Sequence, residues 1–160
     1  MSRLIKATLT FLIFFSVVAV SAVSAPLAPA SASADPQTCI GVWIKLGQDL
    51  VDAGYARHGG IKWQGNSPVM VESAISPAAC PTLIAAARKL STVGCNIDRE
   101  AEVTGAQSQQ SDAQYRACQS RFRDTFDRDC YSYHVFDQQV SGRHLRILEV
   151  RAWLSTCLAQ

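Results

Sequence analysis

The chain has 160 residues, with 15 Lys and Arg against 13 Asp and Glu, 48% hydrophobic residues and six cysteines. Two of the cations, Arg3 and Lys6, fall in an N-terminal stretch of 34 residues that reads as an export leader. The remaining 126 residues balance 13 cations against 13 acids and are about 44% hydrophobic. A neutral chain of ordinary apolar content argues against a basic nucleic-acid binder, an integral membrane protein and a disordered tail.

Arg3 and Lys6 supply the positive start of a signal peptide, and Leu9 to Val20 supplies its apolar run. That run is shorter than the roughly 20 apolar residues needed to span a bilayer, so stable membrane insertion after cleavage is not expected. Small residues before the scissile bond allow cleavage after Ala22 or, preferred here, after Ala34 in Ala32-Ser33-Ala34. The expected division is a secretory signal peptide with an Ala/Pro/Ser-rich segment at 1–34, then one secreted, extracellular domain at 35–160. All six cysteines, Cys39, Cys80, Cys95, Cys118, Cys130 and Cys157, lie in that domain, and an even number in an exported chain implies three disulfides. None forms a Cys-x-x-Cys pair, so neither a zinc knuckle nor a redox motif is spelled out and no cofactor or metal is expected.

Along the domain, Cys39, Trp43, Leu46 and Leu50 recur at helical spacing, and Gly59-Gly60 supplies a stop, with Arg57 and His58 as helix-terminal cations. Ile61-Lys62-Trp63 alternates, Gln64 to Pro68 (QGNSP) is turn-rich and Val69-Met70-Val71 is β-rich, a pattern that predicts a short β-hairpin or an ordered loop. Ser76-Pro77 starts a second helix carrying Cys80, Leu83, Ile84, Ala87 and Leu90, ending near Gly94. Residues 96–110 offer almost nothing to bury and read as a solvated loop. Ser111-Asp112 caps a third helix striped by Tyr115, Cys118, Phe122, Phe126, Cys130 and Tyr133, and Ser141-Gly142 starts a fourth through Leu145, Leu148, Leu154 and Cys157. The predicted fold is therefore mainly α: a small disulfide-stapled bundle of about four helices with a short β-hairpin after the first.

If Cys118 and Cys130 share one helix, their twelve-residue separation sets them about 18 Å apart. A disulfide requires Cα atoms within about 7 Å. Pairing of Cys118 with Cys130 is thus disfavoured, as is pairing of Cys80 with Cys95, which bracket the second helix. Ten of the 15 connectivities survive, all tying the third helix to other parts of the chain.

Candidate chemistry centres on His134, which shares helical spacing with Cys130 and Asp137 and has Asp129 nearby. A carboxylate that orients a His makes it a candidate general base, so a small secreted hydrolase using His134 with Asp137 or Asp129 is one functional expectation. His144, between Arg143 and Arg146, reads as solvated. Asp124, Asp127 and Asp129, interleaved with arginines, read as an exposed ion-pair face. There is no Gly-x-Ser-x-Gly, no His-Glu-x-x-His and no phosphate-binding glycine loop.

The stretch from Cys118 to Cys130, CQSRFRDTFDRDC, is similar to the second long helix of secreted phospholipases A2. The resemblance implies one crosslinked helix; the family's Cys-x-x-His-Asp is replaced by CNIDRE around Cys95, so its activity is not implied. The favoured expectation is an exported, non-catalytic protein that binds a small apolar ligand or a protein partner, with no nucleic acid involved.

Overall fold

The computed structural model describes residues 34–64, 67–121 and 127–160. The expected leader, apart from Ala34, and the expected stripe residues Phe122 and Phe126 lie outside the described residues, as does Asp124. The order of elements is α1 (Pro36–Asp52), β1 (Ala56–Arg57), β2 (Gly60–Gln64), β3 (Ser67–Val71), β4 (Ala74–Ile75), α2 (Cys80–Thr92), α3 (Ile97–Arg121) and α4 (Arg128–Leu158), with a 3-10 turn at Pro77–Ala79 ahead of α2. This is the helical, disulfide-stapled bundle predicted from the sequence, with the hairpin after the first helix.

Asp35 caps α1 by accepting the Thr38 N–H at 3.0 Å, and Pro36 occupies the first turn, where its missing N–H costs nothing. The helix then ends earlier than expected. Its last residue is Asp52, the chain reverses at Gly54, and Ala56–Arg57 pairs antiparallel with Ala74–Ile75. Arg57 and His58 therefore belong to a β-ribbon and its following turn, not to a helix end. The ribbon continues as β2 and β3, registered from Gly60 opposite Val71 to Gln64 opposite Ser67.

One apolar core unites the helices. Cys39, Ile40, Trp43 and Leu50 of α1 meet Cys80 and Leu83 of α2, Ile97 and Ala101 of α3, and Ile147, Val150, Trp153 and Cys157 of α4. Two disulfides run through it, Cys39 to Cys95 and Cys80 to Cys157, with Cα atoms 5.3 and 5.1 Å apart. Close packing of α1 on α4 depends on Gly47, where a Cβ would come within 2.6 Å of Val150 Cγ2.

Three expectations are overturned together. Residues 96–110 are helical rather than a loop: Asn96 accepts the N–H groups of Asp98 and Arg99, and α3 runs on from Ile97. The expected third helix does not span Cys118 to Cys130, because α3 stops at Arg121 and α4 begins at Arg128 with Asp127 as its cap. No new helix starts at Ser141-Gly142; α4 passes straight through. The axial-distance objection to a Cys118–Cys130 bridge thereby disappears. Those two cysteines are paired with Cα atoms 5.4 Å apart, closing the corner between α3 and α4. The likeness of this stretch to a single phospholipase helix fails for the same reason.

Bridge length orders the expected stabilities. In the chain-entropy treatment the Cys118–Cys130 loop contributes about 3 kcal/mol, and the Cys39–Cys95 and Cys80–Cys157 loops about 4 to 5 kcal/mol each. Non-reducing peptide mapping should recover the Cys118–Cys130 peptide, and paired Cys→Ser replacement there should be the mildest of the three in urea denaturation. Gly47→Ala should cost about 1 to 3 kcal/mol by overpacking, and much of that loss should return in the Gly47→Ala, Val150→Ala double variant.

Candidate functional site

The α3–α4 pair is an antiparallel helical hairpin whose seam is mostly polar. Stepping back along α3, positions 118, 115, 111, 108 and 104 alternate three and four residues; stepping forward along α4, positions 130, 134, 137, 141 and 144 do the same. This is coiled-coil spacing. Cys118 is bonded to Cys130, and the Tyr115 ring lies against His134 with centroids 4.7 Å apart. Ser111 donates to Asp137 Oδ1 at 2.6 Å, and the Ser108 and Ser141 hydroxyls are 2.9 Å apart. At the last layer Thr104 Oγ1 and His144 Nδ1 are 3.0 Å apart. Thr104 donates to the Glu100 carbonyl, leaving its oxygen free to accept the His144 ring N–H. His144 fits because Gly105 has no side chain: a Cβ there would lie 3.1 Å from His144 Cε1. Expected to be solvated, His144 is instead half-buried in the hairpin, and burial pushes its pKa below the usual histidine value.

The three residues expected to carry catalysis, His134, Asp137 and Asp129, all lie on α4. Asp137 Oδ1 is occupied by Ser111 and, at 3.4 Å, by Ser141. His134 packs on Tyr115, and its buried Nδ1 has no hydrogen-bond partner among the described residues. Asp129 is exposed in the first turn of α4, where a negative charge suits the helix dipole. No carboxylate among the described residues hydrogen-bonds to His134.

A carboxylate–histidine pair does occur elsewhere, on residues that periodicity gave no reason to associate. Glu149, 1% exposed, accepts the His58 Nδ1–H at 2.5 Å, the Gly59 backbone N–H at 2.7 Å and Arg146 at 3.0 Å. The His58 ring stacks on Trp153, whose indole N–H donates to Ser73 at 2.8 Å. Gln48 Oε1 lies 3.2 Å from the other ring nitrogen. Both ring nitrogens thus face side chains of the protein itself, Glu149 on one side and Gln48 on the other. The cluster fastens both ends of the β-ribbon to α4: His58 and Gly59 on the way out, Ser73 on the way back. Burial pushes the Glu149 pKa up, but the Gly59 N–H, His58 and Arg146 together outweigh it and hold the carboxyl below its usual value.

A second feature lies on the flank of the hairpin. Gln107, Gln110 and Gln114 project from α3, Phe136, Val140 and Arg143 from α4, and Gln37 from the start of α1, around a groove of about 530 Å³ with Ser111 in its wall. Phe136 is 52% exposed, and Tyr133, one helical turn away, is also exposed. Arg143 makes no ion pair or hydrogen bond with any described residue. The sequence carried a signal for this groove in the spacing of the three glutamines, but a segment read as loop has no face on which to place them. No protein-family model, curated protein or solved structure matches the chain.

A lowered folded-state pKa means that Glu149 stabilises the fold fully above about pH 4.5 and progressively less as pH falls through its folded value. Glu149→Gln should destabilise the protein by about 3 to 5 kcal/mol at neutral pH, since His58 and Arg146 lose a buried charged partner. It should also flatten the loss of stability below pH 4.5. Thermal denaturation across pH 3 to 7 measures both effects.

Proposed function

We propose that residues 35–160 form an exported, non-catalytic binding protein whose working surface is the groove between α3 and α4. The observation that carries this role is the groove itself, where an aromatic ring and a row of carboxamides stand open to solvent on a rigid, disulfide-closed hairpin. Three disulfides suit an oxidising extracellular compartment, and no helix among the described residues is long and apolar enough to cross a membrane. Cleavage after Ala34 would leave Asp35 as the first residue, so α1 would keep its cap.

Surface binding is favoured over carriage of an enclosed apolar ligand by how the core is filled. Trp43, Leu83, Ile147 and Val150, each 1% exposed or less, occupy the space where such a ligand would sit. The commitment of Asp137 to two serines weighs against a hydrolase that pairs His134 with Asp137.

NMR titration of the oxidised, secreted protein with a panel of soluble oligosaccharides and short peptides tests the role. Side-chain amide signals of Gln107, Gln110 and Gln114 should shift with at least one member, and Phe136→Ala should weaken that binding about tenfold or more while leaving the fold intact. A lipid retained at one-to-one stoichiometry in the native mass spectrum, or a panel that leaves the groove signals unmoved, would overturn it.

A further inference from the structure

We infer that the ligand of this groove is an acidic oligosaccharide, one whose sugar rings carry a carboxylate. The inference rests on the binding role proposed above and adds the chemistry of what is bound.

The wall on α3 is built from carboxamides at positions 107, 110 and 114, which extend along about 10 Å of helix. Gln37 adds a fourth at one end. Each carboxamide offers two donors and one acceptor, so the wall matches a ligand whose polar groups both donate and accept along its length. Sugar hydroxyls do this, and pairing them with neutral amides desolvates no charge. Opposite stands Phe136, a flat apolar surface suited to the C–H face of a pyranose ring, with Val140 beside it.

Charge selects among saccharides. Among the described residues, Arg143 is the one charged residue lining the groove, and it has no carboxylate partner there. Its planar guanidinium can hold a carboxylate by two parallel hydrogen bonds. Asp137 lies behind Ser111, whose hydroxyl donates to it, and is not among the residues lining the groove. An anionic ligand therefore meets a cation at the surface.

Peptide recognition fits less well. Strand addition needs an open sheet edge, whereas this groove is made by helices; docking of an amphipathic helix needs a continuous apolar floor, whereas Phe136 and Val140 are the only apolar residues lining it among the described residues. Recognition of phosphorylated or acidic motifs uses clustered arginines, and here there is one.

Isothermal titration and NMR of the full oxidised protein with a galacturonate trimer, a neutral glucan trimer and an acidic tripeptide test the inference. The galacturonate trimer should bind one-to-one, shift the groove glutamines and weaken as salt is raised. Arg143→Gln, at an exposed position without partners, should fold normally and weaken that binding at least tenfold, whereas Arg143→Lys should recover part of it. Equal binding of the neutral trimer, or indifference to Arg143→Gln, would overturn the acidic-sugar assignment. Groove binding by the tripeptide alone would overturn it while leaving the binding role standing. Failure of all three probes, together with the wider panel, would remove both.

Discussion

The structure depends on the polar seam between α3 and α4 and on the bridge that closes it. A helix as poor in apolar residues as α3 buries Ile97, Ala101, Thr104, Ser111 and Cys118, and gains little from hydrophobic transfer along most of that length. What holds it is complementarity between layers: a hydroxyl with a carboxylate, two hydroxyls, a hydroxyl with an imidazole. Such pairs contribute modestly when made and cost more when one partner is left buried and alone, so the seam fixes register more than it adds stability. Because the Cys118–Cys130 bridge joins the two helices at the turn, every later layer falls into step.

With α3 set against it, α4 becomes the spine of the molecule. Its middle and C-terminal half face the apolar core through Ile147, Val150, Trp153 and Cys157, and receive α1 at Gly47. Glu149, between Leu148 and Val150, pins the β-ribbon by its contacts with His58 and Gly59. A buried carboxylate is costly to desolvate, and here three donors, His58, the Gly59 N–H and Arg146, offset that cost while tying the ribbon to α4. The N-terminal half of α4 leaves Phe136 and Arg143 at the surface. One helix thus supplies a wall of the groove, the anchor of the ribbon and part of the core.

A groove on a rigid hairpin differs in consequence from one formed by loops. The helix backbones that carry positions 107, 110 and 114 are held against those that carry 136, 140 and 143 by the same layers that join the helices. Ser111 belongs to both, contributing to the groove wall while its hydroxyl serves Asp137 in the seam. Preorganisation of this kind lowers the ordering cost of binding, and it suits short polar ligands, which have little apolar area to offset such a cost.

The helix-forming stripes of α1 and α2, the hairpin between them and the disulfide-stapled helical class were all legible in the sequence. Each rests on local information: apolar residues at three and four, alternation around a turn, and cysteines of even number. Legibility failed where burial is polar. Residues 96–110 read as loop in the sequence because Ala101, Thr104, Gly105 and Ser108 look like nothing to bury, yet small polar residues let two helices approach and bond across the gap. The Cys118–Cys130 pairing was rejected on a correct distance argument applied to a helix that tertiary packing breaks in two. His58 and Glu149 are 91 residues apart, and no local pattern associates them. The sequence by itself determined the helical class, the first two helices, the hairpin and the placement of all six cysteines in one domain. Only the tertiary structure decided the α3–α4 register, the disulfide partners, the Glu149 anchor and the groove, because each depends on hydrogen bonds, a covalent bond or packing between segments distant in the chain.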